Sequence, residues 1–174
     1  MPSKPLHAFL DTNFQSCRKH GTSTNREHGL KVSTTTLEGE TIIFFHTDCN
    51  EGRECLRITN PGYKVCDYLI YYSKEDKQNE IACLLELKGT NLEDAKKQVT
   101  ETHRYLNVLL SANFRSGEAQ SLRWRICICL HSHAPSTNQR IRDELIRDYG
   151  KKNIEIKHGI PQHNIGLLLR REPE

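Results

Sequence analysis

Residues 81–89 (IACLLELKG) form a nearly continuous apolar run that only one glutamate and one lysine interrupt before the closing glycine. A short apolar run bounded by polar sequence is typical of a strand that is buried on both faces of a sheet. Upstream, residues 63–72 (YKVCDYLIYY) are rich in aromatic and β-branched side chains, and residues 73–80 between the two segments are all polar. The pattern therefore predicts two antiparallel strands joined by a polar loop.

Regular pairing of this hairpin brings charged residues together. If the pairing is symmetrical about the centre of the polar loop, Leu69 pairs with Leu84. Asp67 then lies opposite Glu86, and Lys88 lies on the same face because it follows Glu86 by two residues. We therefore expect an otherwise apolar face to carry two carboxylates and a lysine, at the end of the hairpin distant from the loop.

Such an arrangement is costly unless it binds something. Two carboxylates directly opposite each other on antiparallel strands repel, and burial adds the cost of removing each charge from water. A divalent cation between Asp67 and Glu86 would remove the repulsion, and Mg²⁺ prefers a few carboxylates together with waters and phosphate oxygens. Lys88 would place a positive charge where a water or a phosphate reacts. The three residues therefore predict a metal-dependent site for phosphodiester hydrolysis.

The same segment resembles the PD-(D/E)XK nuclease superfamily. The resemblance rests on Asp67, eighteen intervening residues, and then Glu86-Leu87-Lys88 in an apolar strand that a helix follows. It covers residues 63–110, whereas the flanks match only in the order of their elements. The resemblance implies that Asp67 and Glu86 bind catalytic Mg²⁺ or Mn²⁺, that Leu87 offers its backbone carbonyl to the metal, and that Lys88 assists the attacking water.

A glutamine in the helix after the motif is a further point of resemblance. Gln98 lies ten residues after Lys88. The resemblance implies that it orients the site or the substrate. Two features depart from the superfamily pattern: Cys66 precedes the aspartate where many members have proline, and the first helix lacks an obvious glutamate. The third acidic ligand therefore stays open among several upstream acids: Asp11, Glu27, Glu38, Glu40 and Glu54.

The remaining segments complete an α/β pattern. Helices are predicted over residues 4–19, 91–110 and 136–150, where apolar spacing or capping residues favour them. A turn is predicted over 49–54, and strands are predicted over 31–48 (a pair joined at Glu38-Gly39), 54–62, 123–133, 153–159 and 164–170. This order matches the αβββαβ core of the superfamily. We therefore expect a single domain over residues 1–174, with a restriction-endonuclease-like central mixed sheet flanked by helices.

Arginine and aromatic residues concentrate between positions 104 and 125. The segment has a single acidic residue, and Phe114 and Trp124 lie among its arginines. Arginines bind phosphates and aromatic rings stack on bases, so this segment is the candidate nucleic-acid surface. The alternative is a solvated loop with Trp124 in the core. The candidate arginines are Arg104, Arg115, Arg123 and Arg125.

The predicted function is that of a Mg²⁺- or Mn²⁺-dependent nuclease, with DNA favoured over RNA as the partner. We expect an endonuclease that acts in phage defence or DNA processing, with a homodimer or a partner protein supplying the second cut of a duplex. One alternative is a non-catalytic nucleic-acid-binding or assembly subunit. The other is an RNA endonuclease of the cap-snatching type, for which His28 or His46 would supply a site histidine.

Charge and cysteine content add two expectations. A formal net charge of +3 is too small to indicate nucleic-acid binding by itself. Seven cysteines, an odd number without an export signal or a long apolar segment, favour reduced thiols in a cytoplasmic protein that does not cross a membrane. Cys127 and Cys129 are predicted to be buried thiols, and a metal knuckle formed by Cys49, Cys55 and His46 is a weaker alternative.

Overall fold

The computed structural model describes residues 4–78, 80–114, 122–132 and 138–172, which form an α/β structure. The helices are α1 (Pro5–Asn13), α2 (Asn50–Cys55), α3 (Leu92–Asn113), α4 (Asn138–Tyr149) and α5 (Gly166–Arg170), and the strands are β1 (Lys31–Ser33), β2 (Glu40–His46), β3 (Tyr68–Lys74), β4 (Glu80–Lys88), β5 (Leu122–Leu130), β6 (Ile154–His158) and β7 (Gln162–Asn164).

Five of these strands make one mixed sheet in the order β2-β3-β4-β5-β6; the first three are antiparallel, and β4, β5 and β6 run parallel. The other two strands, β1 and β7, pair as a separate parallel ribbon.

The hairpin of β3 and β4 has the register that its symmetry predicts. Leu69 pairs with Leu84 and Tyr71 with Ala82, and the regular part of the ladder begins at Tyr68. Continued by one pair, this register places the residue before β3 opposite Glu86. The predicted juxtaposition of the charged residues therefore follows from the pairing itself.

Both faces of the five-stranded sheet are covered. On one face, α1, α3 and α4 contribute buried side chains such as Leu10, Val99 and Leu145. On the other face, the β1–β7 ribbon and α5 contribute residues such as Val32 and Leu168. Because β4 lies in the middle of the sheet, its side chains are buried on both faces, and this explains its nearly unbroken apolar sequence.

Helix α3 begins where its capping residue predicts. The side chain of Asn91 accepts a hydrogen bond from the backbone N–H of Asp94 at 3.1 Å, which satisfies one of the free donors of the first turn. The buried residues Ala95, Val99 and Leu106 form the predicted apolar face. The helix runs to Asn113, three residues beyond the predicted end.

Several local predictions are wrong where short segments depend on distant contacts. The predicted helix over 4–19 ends at Asn13, and a 3₁₀ turn follows at Gln15–Cys17. The predicted turn over 49–54 is helix α2, and the described structure contains no strand within 54–62. Helix α2 approaches β2 so closely that a Cβ on Gly52 would lie 2.5 Å from the carbonyl oxygens of His46 and Thr47.

The two ends of the chain also differ from the predicted strands. β1 does not form a hairpin with β2, because it pairs with β7 instead. The segment 164–170 contains helix α5, in which Leu168 and Leu169 are buried and Leu167 is exposed. A run of three leucines satisfies a strand or a buried helix equally well, and packing against the sheet selects the helix here. None of the helices in the described ranges combines the length and apolar character needed to cross a bilayer.

A buried glutamate ties α1 to the central hairpin. Glu80, at the start of β4, is 1% exposed, and its two carboxylate oxygens accept the backbone N–H groups of Leu6 and His7 at 3.0 Å. The hydroxyl of Tyr71 donates to the same carboxylate at 2.9 Å. The carboxylate thus meets the free donors and the positive end of the α1 dipole.

We expect Glu80→Gln to lower the free energy of unfolding by about 2 kcal/mol, because the amide cannot accept the same set of hydrogen bonds with a full charge. Urea denaturation would measure the loss. The exposed Glu75 in the hairpin loop provides the control, and Glu75→Gln should change stability by less than about 0.5 kcal/mol. Equal stability of the two variants would contradict the capping role of Glu80.

Candidate active site

The four residues predicted to carry the chemistry lie together. Lys88 Nζ is 3.5 Å from Glu86 Oε1 and donates to Gln98 Oε1 at 2.5 Å. The backbone N–H of Asp67 donates to Glu86 Oε2 at 3.2 Å. The cluster lies at the end of the hairpin distant from its loop, on the sheet face that α3 covers.

Each residue is placed by a different element. Asp67 immediately precedes β3, while Glu86 and Lys88 occupy the end of β4. Gln98 reaches them because α3 returns across the sheet, with Val99 in the core. Its amide Nε2 also donates to the carbonyl of Val65 at 2.8 Å, so Gln98 joins the segment before β3 to the lysine at the end of β4.

Each carboxylate uses one oxygen in the local backbone network. Asp67 Oδ2 accepts the N–H of Leu87 at 2.6 Å, and Glu86 Oε2 accepts the N–H of Asp67. Within the described part of the chain, no group donates a hydrogen bond to Asp67 Oδ1, and Glu86 Oε1 has Lys88 as its ion-pair partner at 3.5 Å. One oxygen of each carboxylate therefore remains for a ligand.

The carbonyl of Leu87 also lies outside the regular ladder. The N–H and C=O groups of a strand residue point toward the same neighbouring strand, and the Leu87 N–H points toward Asp67. Cys66 is the next register partner on that side, but its N–H donates to Thr102 Oγ1 at 2.8 Å. Thr102 therefore takes the donor that would otherwise meet the Leu87 carbonyl. The sequence pattern did not predict this role of Thr102. Its position one helical turn after Gln98, on the buried face of α3, indicates that its side chain faces the same site.

Burial raises the pKa of both carboxyl groups. Glu86 is 1% and Asp67 is 7% exposed. Burial raises the pKa of Glu86 from 4.5 to about 9, with the Asp67 carboxylate as the next contribution. Burial likewise raises the pKa of Asp67 to about 7, against the lowering effect of the Leu87 N–H, and the negative charges of Glu27 and Asp48 add to the rise. The pair therefore holds two negative charges at neutral pH only if more positive charge than that of Lys88 is nearby.

These donors fit a hard divalent cation. Across residues 4–78, 80–114, 122–132 and 138–172, no three or more His, Cys, Asp or Glu side chains are grouped so that they could hold a metal ion. The site instead offers two carboxylates and a backbone carbonyl, and Mg²⁺ accepts such a small set because waters and substrate phosphates complete its shell. A zinc site would need more nitrogen or sulfur ligands.

The upstream acids near the pair have other partners. Glu27 Oε1 accepts the hydroxyl of Tyr68 at 3.0 Å, and Asp48 is 2.7 Å from Arg53 in an ion pair. The negative charges of Glu27 and Asp48 raise the pKa of Asp67, but these contacts do not hold either side chain as a third ligand. Among the other candidates for the third acid, Asp11 is paired with Arg18 and Glu40 with Arg170. No described acid forms a group of three with Asp67 and Glu86 that could hold a metal ion.

The candidate histidines of the RNA-endonuclease alternative lie apart from the pair. His46 ends β2 and pairs with Tyr68, on whose ring it stacks with centroids 4.9 Å apart. Cross-strand partners share a face, so His46 and Tyr68 lie on the sheet face opposite Asp67. His28 is exposed in a turn with φ of 48°.

The predicted arginine surface is only partly retained. Arg104 is exposed on α3, where its guanidinium lies 5.0 Å from the ring of Tyr105, and Arg123 is exposed on β5. The prediction is wrong for Arg125, which is 1% exposed and faces the side of the sheet that α5 covers. Arg115 lies outside the described residues. Trp124 packs against the core, as its alternative interpretation holds.

The cysteines behave as buried or local thiols. Cys127 and Cys129 are buried on the second face with their sulfurs 3.9 Å apart, as predicted. All seven cysteines are free. Cys49 Sγ accepts the N–H of Gly52 at 3.3 Å and so caps α2, and the described residues contain no metal knuckle there.

Comparison with known proteins found no family model that matches the chain, and no curated protein or solved structure that is significantly similar to it. What the chain does is therefore inferred from the site.

We expect stability without metal to fall as the pH rises. A folded-state pKa of about 9 for Glu86, above its ordinary 4.5, gives a contribution that is complete below pH 4.5 and is lost as the pH rises through 9. Glu86→Gln removes this titration, so in EDTA its melting temperature should exceed that of the wild type by an amount that grows between pH 5 and pH 9. At pH 9 the gain should correspond to at least about 2 kcal/mol.

The exposed Glu93 provides the control for this measurement. Thermal melts of Glu93→Gln should parallel those of the wild type at every pH. A constant offset between Glu86→Gln and wild type from pH 5 to pH 9 would contradict the raised pKa.

Proposed function

We propose that the protein is a Mg²⁺- or Mn²⁺-dependent nuclease that hydrolyses phosphodiester bonds, with DNA as the favoured substrate. The observation that carries the proposal is the meeting of Asp67 and Glu86 with Lys88 at the end of a buried hairpin. When β1, the 3₁₀ turn and the short helix α2 are set aside, the order α1, β2, β3, β4, α3, β5 supports a restriction-endonuclease-like core and membership of the PD-(D/E)XK superfamily. Phage defence or DNA processing is the setting in which we place such an activity.

The ligand roles follow from the unused oxygens. Asp67 Oδ1, Glu86 Oε1 and the Leu87 carbonyl would hold the ion. The backbone hydrogen bonds use the other oxygen of each carboxylate, and Glu86 Oε1 has only its ion pair with Lys88 among the described contacts. When bound, a divalent ion supplies Lewis-acid charge and lowers the pKa of water. The other oxygens of the two carboxylates keep their backbone hydrogen bonds, which fix the orientation of both side chains.

Lys88 is the residue that would act on the phosphate or on the attacking water. Its side chain is 24% exposed beside a glutamate that is 1% exposed, so the ammonium is the part of the cluster that a substrate meets most easily. A lysine is a mobile point charge unless it is held. Gln98 holds it through Oε1 and is itself held by the Val65 carbonyl. The ammonium is thus preorganised to stabilise negative charge on a phosphate oxygen.

We expect Glu86→Gln and Lys88→Met to lower the cleavage rate by at least about a hundredfold, because each removes a charge that the reaction requires. The assay would use Mg²⁺ or Mn²⁺ with circular duplex DNA, linear DNA and RNA, and EDTA should stop cutting. Glu93→Gln and Lys97→Met change exposed residues of the same types on α3 and should retain full activity. Full cleavage by Glu86→Gln or Lys88→Met would contradict the assignment.

A non-catalytic subunit is the second candidate, and the low exposure of the two carboxylates favours it. Melting in Mg²⁺ distinguishes the two. A rise in the melting temperature of the wild type but not of Glu86→Gln, together with cleavage, supports the nuclease. An unchanged melting temperature and no cleavage of any substrate would support the binding subunit.

Gln98 should act through Lys88 rather than on the substrate. We expect Gln98→Ala to lower kcat about tenfold with little change in KM, and to cost much less in a Lys88→Met background, because the two side chains form one unit. Gln139, exposed on α4, provides the control substitution Gln139→Ala. A full tenfold loss in the Lys88→Met background would show that Gln98 works independently of the lysine.

A further inference from the structure

Arg125 is a buried cation that has no carboxylate partner among the residues that the structure describes. It is 1% exposed and lies on β5, where it pairs with Cys83. In the described part of the chain, its guanidinium makes one hydrogen bond, from Nη2 to the carbonyl of Arg171 at 2.7 Å, and its buried Nε has no partner. Burial lowers the pKa of Arg125 because it disfavours the charged form. An unpaired buried charge is costly, so this arginine requires an explanation.

Arg125 is one of the residues that line a small groove at the loop end of the hairpin. Tyr72 and Ile81 form apolar walls. Arg123 and Lys74 are among the basic lining residues, and Lys74 is 3.6 Å from Asp76 in an exposed ion pair. Arg123 is exposed and has no ion-pair partner among the described residues. The groove therefore concentrates positive charge around a cation that is already desolvated.

The nearby carboxylates are engaged elsewhere. Glu172 lines the groove but forms its ion pair with Lys77 and is 69% exposed. Glu40 is bound to Arg170 at 2.7 Å, and Glu155 is 3.5 Å from Arg171. No described acidic side chain thus forms an ion pair with Arg125.

We infer that this groove is an anion site that binds a phosphate group, with Arg125 at its base and Arg123 and Lys74 at its rim. A guanidinium presents several N–H donors in a planar arrangement that matches two oxygens of a phosphate. The additional cations favour a dianionic phosphate over a single carboxylate. Inorganic phosphate and the terminal phosphate of a nucleotide share this chemistry.

The anion site is separate from the candidate active site. Glu86 pairs with Ile128, three residues along β5 from Arg125, and the two side chains point to opposite faces of the sheet. Three strand residues span about 10 Å. The inference therefore stands whether or not the protein is a nuclease.

The test uses the NMR signal of the Arg125 Nε–H group, assigned by its loss in Arg125→Met. The full chain in EDTA, at constant ionic strength, is titrated with inorganic phosphate, adenosine monophosphate, and adenosine as the control without phosphate. A saturable shift with phosphate and with the nucleotide supports the site, and a shift with the nucleotide alone assigns it to nucleotides. No shift with either, or an equal shift with adenosine, would overturn the inference.

Substitution at the rim avoids dependence on a core variant that fails to fold. Arg123→Gln should weaken phosphate binding about tenfold, because it removes a charge-assisted contact at an exposed position. Arg104→Gln, an exposed arginine on α3, should leave binding unchanged. Glu86→Gln should also leave it unchanged, which separates this site from the catalytic proposal. Equal affinity of Arg123→Gln and wild type would count against the groove.

Discussion

The pairing of β3 with β4 is the interaction on which the rest of the structure depends. A slip of one residue would send every side chain of one strand to the opposite face, because the side-chain period of a strand is two. Asp67 and Glu86 would then no longer share a face, and the apolar residues between them would lose their places in the two cores. The leucine and aromatic pairs in the ladder, such as Leu69 with Leu84, specify this register through burial on both faces.

Strand β4 carries two glutamates that are equally buried but have different hydrogen-bond partners. Glu80 and Glu86 are each 1% exposed, and both point to the face that the long helices cover. Glu80 meets two backbone N–H groups and a tyrosine hydroxyl, so its charge is satisfied within the fold. Glu86 meets one N–H group, a lysine and a facing carboxylate. The difference lies in the neighbours rather than in the burial, and it marks Glu86 as the residue with capacity for a ligand.

Ionisable groups of opposite charge lie on opposite faces of the same sheet. On the helical face, burial and the Asp67 carboxylate raise the pKa of Glu86, and on the face that α5 covers, Arg125 has no carboxylate partner among the described residues. Both arrangements cost stability unless a ligand compensates them, a cation in the first case and an anion in the second. The hydrogen-bonded pairing of β4 with β5 fixes the distance between the two regions.

The sequence alone determined the hairpin register, the clustering of Asp67, Glu86 and Lys88, and the start of α3 at its asparagine cap. These features depend on spacing within about 35 residues and on alternation, which a linear pattern records directly. Gln98 also belongs to this group, since helical periodicity places it on the buried face.

Only the tertiary structure decided which short segments become helices, which termini pair, and which polar atoms remain unsatisfied. β1 pairs with β7 across more than a hundred residues, α5 is selected by packing, and Arg125 is buried because α5 covers its face. The capping of α1 by Glu80 and the diversion of the Cys66 N–H to Thr102 are likewise contacts between distant segments. Such outcomes depend on which surfaces meet after folding, and local propensity carries no information about that.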